Sequence, residues 1–339
     1  MIDPHVHFRD GEQSAKETLL HAMEVASLCG FTGFFDMPNT SPPLTSEKAI
    51  LERLTKGERV AQGGLFYGVY GGITTDSDQV RELVRLHKNL FPRMVGLKMY
   101  AGHSTGNMGI VGRDAQRKVY ETLSSANYRG VLALHCEKEE LLKEGLLHPL
   151  ARPPEAETES VRDQLELAQE SGFAGTLHIC HISTIASLEL VKKAKGEGRK
   201  VSCGVTPHHV LLNLEAFNAA DNLLKMNPPL RGEAERSALF EALLEGSIDW
   251  VESDHAPHTL QDKDGGAAGI PGFGGMLLLL KRLSEAGVSL SQLERLYGGR
   301  VAEVFEIEIH VKVPTLEQIE TALEVARRSY PWDPYVTLH

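Results

Sequence analysis

The stretch Ile2-Asp3-Pro4-His5-Val6-His7-Phe8-Arg9 starts as an apolar run and carries two histidines two positions apart. Side chains two residues apart on a β-strand point to the same face of the strand. If the run is a strand, His5 and His7 lie side by side at its carboxyl end. Imidazoles placed in this way can bind one zinc ion, so the stretch predicts half of a metal site. Two ordinary polar histidines are the alternative.

Further short apolar runs follow, and several end at a residue that can bind metal or carry a proton. The eight runs lie near residues 2–7, 31–36, 64–70, 95–100, 131–135, 176–181, 200–205 and 248–253. Lys98, His135, His181 and Asp254 lie near the ends of four of these runs. Polar groups at the carboxyl ends of successive strands form the active site of a TIM barrel. The pattern therefore predicts an α/β protein with a (β/α)8 barrel of the metal-dependent hydrolase type.

Segments with helical periodicity separate most of the runs. Those identified lie at 14–28, 159–171, 184–195 and 234–245. Ser14 is the expected N-cap of the first of them. Alternation of strand and helix supports the same barrel.

The pattern changes beyond residue 300. Residues 306–313 alternate strictly between polar and apolar side chains, which predicts one half-exposed strand. Thr315 and Gln318 match a capping box and predict a C-terminal helix. We expect residues 1–300 to form the barrel and residues 301–339 to form a short appendage packed on it.

Composition excludes several classes of function. The chain has 339 residues, 42% of them hydrophobic, which suits one barrel of roughly 250 residues with additions. A formal net charge of −11 argues against nucleic acid and anionic membranes as partners. The four cysteines show no CxxC spacing, and neither a membrane-spanning run nor a secretory segment is evident. These features predict a cytoplasmic protein that acts on a small molecule.

Candidate metal ligands are more numerous than one zinc ion needs, which favours two zinc ions per subunit. His5 and His7 are assigned to the first ion, and His135 and His181 to the second. Two adjacent cations need an anion between them.

Lys98 occupies the strand that should supply this anion. Alternation points Lys98 into the barrel lumen and its neighbours Val95, Leu97 and Met99 outward. An ammonium group would repel both metal ions, whereas a lysine carbamylated by CO2 is anionic and offers one oxygen to each ion. A lysine that binds substrate, or that extends out of the barrel, is the alternative.

Asp254 ends the eighth run, where it can contact a metal ion and act as general base and acid. Cys136 and Cys180 are offset by one position from the strand histidines, so alternation predicts that both face away from the lumen. His208 and His209 are surplus histidines, expected to pack near the metal site or to support its ligands.

Taken together, these motifs resemble the amidohydrolase superfamily and, within it, the dihydroorotases. The stretches that carry the resemblance are His5-Val6-His7-Phe8-Arg9-Asp10, Met37-Pro38-Asn39-Thr40, Gly96-Leu97-Lys98, Leu134-His135-Cys136-Glu137, Cys180-His181-Ile182-Ser183-Thr184, Asn227-Pro228-Pro229-Leu230-Arg231 and Ser253-Asp254-His255-Ala256-Pro257-His258. The resemblance implies a carbamylated Lys98 and a catalytic Asp254. It also implies that Arg9 and Asn39 hold a substrate carboxylate, with the Asn227 stretch and His258 contacting the substrate.

The implied reaction is the interconversion of (S)-dihydroorotate and N-carbamoyl-L-aspartate in de novo pyrimidine biosynthesis. Arg9 is the discriminating residue, because hydantoinases and dihydropyrimidinases resemble this pattern in their metal ligands but lack the arginine. Two alternatives stay open: a cyclic amidase of the hydantoinase or allantoinase type, and a catalytically silent subunit of a pyrimidine-pathway complex. A homo-oligomer is expected, with a pathway partner subunit as a further option.

The loop from Gly102 to Gly109 follows the Lys98 strand and carries Ser104 and Thr105 near its tip. Its position predicts a lid over the pocket mouth. An inert surface loop is the alternative.

Overall fold

The chain forms a parallel β-barrel surrounded by helices. The computed structural model describes residues 1–61, 63–104 and 107–338. Its strands are β1 (Ile2–Val6), β2 (Gly33–Asp36), β3 (Phe66–Gly72), β4 (Met94–Ala101), β5 (Val131–Cys136), β6 (Thr176–Ile179), β7 (Val201–Val205) and β8 (Trp250–Val251). Each strand pairs in parallel with the next, in sequential order. A single parallel bridge between Val6 and His255 completes the ring. The predicted barrel is confirmed.

Helices lie between and after the strands. They are α1 (Leu19–Leu28), α2 (Glu47–Val60), α3 (Ser77–Leu90), α4 (Arg113–Ser125), α5 (His148–Ala151), α6 (Pro154–Glu170), α7 (Ile185–Gly196), α8 (Pro207–Leu211), α9 (Leu214–Ala220), α10 (Glu233–Leu244), α11 (Leu260–Asp264), α12 (Phe273–Glu285), α13 (Leu290–Glu294), α14 (Arg300–Phe305) and α15 (Leu316–Arg328). None of the described helices is both long and apolar enough to cross a membrane.

The first helix begins later than predicted, and Ser14 does not cap it. Thr18 is the N-cap of α1, and its Oγ1 accepts a hydrogen bond from the backbone N–H of His21, with an N–O distance of 3.2 Å. The residue before it, Glu17, is buried and lies 3.2 Å from Nε2 of His255. This inward anchor holds the preceding chain against the barrel, so the helix starts only after it.

Apolar side chains form two cores, one between strands and helices and one inside the barrel. Leu97 and Met99 belong to the outer core, as alternation predicts. Val95 does not follow the prediction, because it packs in the inner core. The pairing of β3 with β4 runs from Val69–Met94 to Tyr70–Gly96 and so skips Val95. A bulge of this kind changes the face to which one residue points.

The predicted strand at 306–313 is wrong. Helix α14 ends at Phe305, and residues 307–314 belong to no strand or helix. The alternation has another cause: Ile307 and Val313 are buried, and Ile309 and Val311 pack against the inner core. An extended segment can bury one face against the barrel without pairing with a strand, so burial alone produced the pattern.

The C-terminal helix is present at the predicted place. Thr315 caps α15, and both hydrogen bonds of the capping box with Gln318 form. The helix buries Ile319 and Leu323 in the outer core. The division into a barrel and an appendage stays a prediction.

Gly57 offers a test of packing between α2 and β3. A Cβ atom at this position would overlap the ring of Tyr67, whose hydroxyl donates to Asp36 at 2.6 Å. Alanine gains about 1 kcal/mol of helix propensity, but overpacking a buried ring costs about 1–3 kcal/mol. We therefore expect Gly57→Ala to lower the free energy of unfolding, measured by urea denaturation.

Gly196 provides the matched control, because it lies at the end of α7 with no atom within 4 Å of an added Cβ. Gly196→Ala should leave stability unchanged or raise it. Equal effects of the two substitutions would contradict the steric argument.

Candidate active site

The predicted site residues meet in one pocket at the carboxyl ends of the strands. Those that line it are His5, His7, Arg9, Asn39, Lys98, Ser104, His135, His181, Asn227 and Asp254, joined by Tyr100, Ala256, Ala268 and Gly269. His258 lies behind Arg9, with its Nε2 3.5 Å from Nη2 of the arginine. Thr105 lies outside the described residues.

The first histidine pair converges with Asp254 on one point. Nε2 of His5 is 3.3 Å from Nε2 of His7, and Oδ1 of Asp254 is 3.3 Å from the former and 2.9 Å from the latter. Two nitrogens bound tetrahedrally to zinc at about 2.0–2.1 Å are roughly 3.3 Å apart. These three side chains can therefore hold a metal ion.

The second pair faces the first across the pocket. Nδ1 of His135 lies 3.1 Å from Nε2 of His181, and the rings of His5 and His181 are 5.2 Å apart between centroids. Lys98 is fully buried and lines the same pocket, with Nζ 3.2 Å from Sγ of Cys180. The donor set thus consists of two pairs of imidazoles, a carboxylate and a buried lysine.

Three of the four histidines have an acceptor on the nitrogen that points away from the pocket. Nδ1 of His5 is 3.4 Å from Oε1 of Glu252, and Nδ1 of His7 is 2.6 Å from Oδ1 of Asn39. Nε2 of His135 is 3.0 Å from Oε2 of Glu137. An acceptor on one nitrogen fixes the proton there and leaves the lone pair of the other for a metal ion.

Burial keeps three of the four histidines in the protonation state that binds metal. Desolvation lowers the pKa values of His7, His135 and His181, so their imidazoles are neutral near pH 7. Burial alone would raise the pKa of Asp254, but His5 and His7 hold it well below its usual range. Asp254 is therefore a carboxylate.

Two site residues have left-handed backbone conformations, His181 with φ of 39° and Asp254 with φ of 48°. Such conformations are uncommon for residues with a Cβ and need support from their surroundings. The N–H of His181 donates to Oε1 of Glu252 at 2.6 Å. Just after it, the N–H groups of Ser183 and Thr184 donate to the buried carboxylate of Glu157.

Cys180 corrects one prediction from strand alternation. Its thiol lies in the inner core against Lys98 and does not face outward, whereas Cys136 lies in the outer core as predicted. Strand β6 ends at Ile179, and the left-handed turn at His181 brings two consecutive side chains to the lumen. A sequence pattern does not reveal this change of direction.

His208 and His209 lie in α8 and are buried. Nε2 of His209 is 3.1 Å from the carbonyl oxygen of Pro228, next to Asn227. Neither histidine lines the pocket in the described part of the chain. Their role as packing or support residues stays a prediction.

Comparison with known proteins identifies the family. No protein-family model matches the chain. The dihydroorotase of Lactobacillus gasseri is 34% identical over 325 residues, which span 91% of this chain and 73% of that protein. The chain belongs to the dihydroorotase family.

Solved structures agree with this family at the level of the fold. L-Hydantoinase from Arthrobacter aurescens superimposes with a TM-score of 0.80 at 24% identity, over 92% of this chain and 72% of that one. Dihydroorotase from Saccharomyces cerevisiae, in complex with 5-fluoroorotic acid, gives a TM-score of 0.75 at 20% identity, over 91% of this chain and 84% of that one.

Glu252 is a residue of this dihydroorotase-family site that the sequence reasoning missed. It is fully buried, and its second oxygen lies 3.0 Å from both Nε2 of His178 and Nε1 of Trp250. Burial alone would raise its pKa, but His178 and His5 hold it well below the usual range. Its position two residues before Asp254, just after the last strand, was the available signal.

Glu137 was also missed. It follows His135 by two positions, so the same alternation that aligned His5 with His7 applies to it. Its carboxylate pairs with Arg152, whose Nη2 lies 2.6 Å from Oε2 of Glu137. A buried ion pair of this kind holds the acceptor of His135 in place.

Replacement of Glu252 tests whether a buried acceptor controls the metal ligands. Glu252→Gln removes the charge that orients His5 and the N–H of His181, so we expect metal affinity to fall about 10–100-fold. Competition with a chromophoric chelator measures this affinity.

Asp249→Asn is the control, because Asp249 is a carboxylate of low side-chain exposure that pairs instead with Lys195 and Arg300. It should leave metal affinity unchanged. A Glu252→Gln protein that binds metal as tightly as the wild type would show that the ligands need no such support.

Proposed function

We propose that this protein catalyses the reversible hydrolysis of (S)-dihydroorotate to N-carbamoyl-L-aspartate in de novo pyrimidine biosynthesis. Membership of the dihydroorotase family supports the reaction. The observation that carries the choice of substrate is a buried arginine beside the metal-ligand cluster. Arg9 is 3% exposed and lines the pocket.

Arg9 has no ion pair with any acidic side chain in the described ranges. Its contacts are the carbonyl oxygen of Pro257, 3.4 Å from Nε, and Nε2 of His258, 3.5 Å from Nη2. A buried guanidinium group without an anion is costly, and a carboxylate ligand removes most of that cost. The ring carboxylate of dihydroorotate supplies this anion, whereas hydantoin does not.

Two asparagines surround the same space. Asn39 lines the pocket while its side-chain oxygen accepts from His7. Oδ1 of Asn227 is buried and has no hydrogen-bond partner among the described residues. Burial beside Arg9 lowers the pKa of His258 to about 3, so its imidazole is neutral at physiological pH. These groups suit a small, polar, anionic ring.

The donor set fits two zinc ions. His5, His7 and Asp254 would hold one ion, His135 and His181 the other, and Lys98 as a carbamate would bridge them. Bound zinc would act as a Lewis acid and lower the pKa of water to near neutrality. Lys98 is fully buried beside the two histidine pairs, where an ammonium group would repel the ions, and this position supports its conversion to an anion; in the structure its Nζ contacts Sγ of Cys180 at 3.2 Å.

The chain's own residues carry out positioning and proton transfer. Arg9 and Asn39 hold the substrate carboxylate and fix the ring against the proposed metal ligands, and His258 contacts Arg9 from behind. Asp254, an ionised carboxylate, takes a proton from the attacking water and delivers it to the ring nitrogen as the amide bond breaks. In ring closure it transfers the proton in the opposite direction.

The rival functions have less support. A silent homologue would be expected to lose metal ligands, yet all the predicted ligands line this pocket. A hydantoinase-type activity leaves Arg9 without an anion. Ser104 lines the pocket, so a lid formed by this loop stays a proposal. A homo-oligomer and a pathway partner subunit also stay proposals.

Arg9→Ala tests the substrate. Loss of a charge-assisted bidentate contact of about 3 kcal/mol should reduce kcat/KM for dihydroorotate at least about a hundredfold. Metal content should not change, because Arg9 is not a ligand. Hydantoin serves as the control substrate, and a wild-type protein that prefers hydantoin, or a variant with near-normal kinetics, would contradict the assignment.

Lys98→Ala tests the carbamate. Without the bridging anion the protein should lose one or both metal ions and nearly all activity, measured by elemental analysis and turnover of dihydroorotate. Added propionate should restore part of the metal content and part of the activity, because its carboxylate can occupy the place of the Lys98 carbamate. Propylamine, similar in size but cationic, should not. Full metal content in the untreated variant would exclude Lys98 as a bridge.

A further inference from the structure

Lys263 is a second buried lysine, separate from the metal ligands. It lies in α11, and its side chain has no solvent exposure. Its ammonium group has three N–H donors, and each has an acceptor: the carbonyl oxygens of Lys225 at 2.9 Å, Ala267 at 2.8 Å and Gly269 at 2.9 Å. Within the described chain no acidic side chain pairs with it.

The three carbonyls belong to two segments of the pocket wall. Lys225 precedes Asn227 by two residues, and Ala267 and Gly269 flank Ala268. Asn227, Ala268 and Gly269 line the pocket. The N–H of Gly269 also donates to the carbonyl oxygen of Lys225 at 2.9 Å, so the two segments meet at the ammonium group.

The same wall reaches the arginine that would bind the substrate carboxylate. The carbonyl oxygen of Ala268 is 3.1 Å from Nε2 of His258, which in turn contacts Arg9. Lys263 therefore holds the main chain on both sides of Ala268, and only the side chain of His258 lies between Ala268 and Arg9.

A buried ammonium group is a poor choice if stability alone is needed. Desolvation, together with a smaller effect of the charge of Lys225, lowers the pKa of Lys263 to about 7. The ring of Trp332 offers a cation–π contact at 5.5 Å, but an apolar side chain would fill the same space without the desolvation cost. What an apolar side chain lacks is the ability to bind three carbonyls in a fixed geometry.

We propose that Lys263 is a positioning residue. By binding carbonyl groups of two main-chain segments, it sets the distance between them, and these segments contact the substrate ring. This inference rests on the proposed function, because it treats the pocket beside Arg9 as the ring-binding site. Lys263 acts through the main chain of residues 225–227 and 267–269 and touches no reacting atom.

Lys263→Met tests the proposal, because methionine keeps the length and apolar stem but donates no hydrogen bond. KM for dihydroorotate should rise at least about tenfold, while kcat changes less than about threefold and metal content stays constant. Hydrogen exchange followed by mass spectrometry should be faster in peptides covering residues 265–270 but unchanged in peptides from α7.

Lys281→Met is the matched control, since Lys281 is a partly exposed lysine of α12 that pairs with Glu320. It should alter neither KM nor exchange. Lys263→Gln, which keeps two neutral donors, should give intermediate values and replaces the methionine variant if the latter does not fold.

Unchanged KM and local exchange in the variants, or faster exchange throughout the barrel with KM unaffected, would overturn the proposal. A wild-type protein inactive on dihydroorotate would instead contradict the proposed function. In that case exchange at residues 265–270 alone decides whether Lys263 holds the wall.

Discussion

The hydrogen bonds of one buried carboxylate hold together the end of the barrel that carries the proposed metal ligands. Glu252, just after the last strand, contacts His5 on the first strand, His178 on the sixth strand and the backbone of His181 just after the sixth strand. A buried anion is tolerated only when donors surround it, so these strands must keep their register for the charge to be satisfied. The position of the histidines is thus a consequence of electrostatics beneath the pocket as well as of the strands that carry them.

Most of the barrel and of the ligand set follow from sequence, because a parallel barrel repeats one geometry. Each buried strand reads as an apolar run, and its carboxyl end always faces the same pocket, so His5, Lys98 and His135 could be placed by alternation alone. The reasoning failed where the backbone leaves that geometry. Cys180 reaches the lumen because of the left-handed turn at His181, and residues 306–313 imitate a strand because one face is buried.

Chemistry and recognition are carried by different parts of the molecule. Most of the proposed metal ligands stand on or next to strands, whose positions are set by hydrogen-bonded neighbours on both sides. The residues around the proposed carboxylate site, among them Asn39, Asn227 and Ala268, lie on connecting segments. Fold similarity to a hydantoinase and to a dihydroorotase is consistent with this division, since loops can change recognition while the strands keep the ligands in place.

The closure of the barrel links its folding to its ligands. A bridge joins Val6 of the first strand to His255, which follows the last strand, and the candidate ligand group of His5, His7 and Asp254 spans that seam. Asp254 lies almost 250 residues after the two histidines in the chain. The group does not exist until the ring has closed, so an ion held there binds the closed state alone. By mass action such an ion shifts the equilibrium toward the closed barrel and away from forms in which the seam has opened.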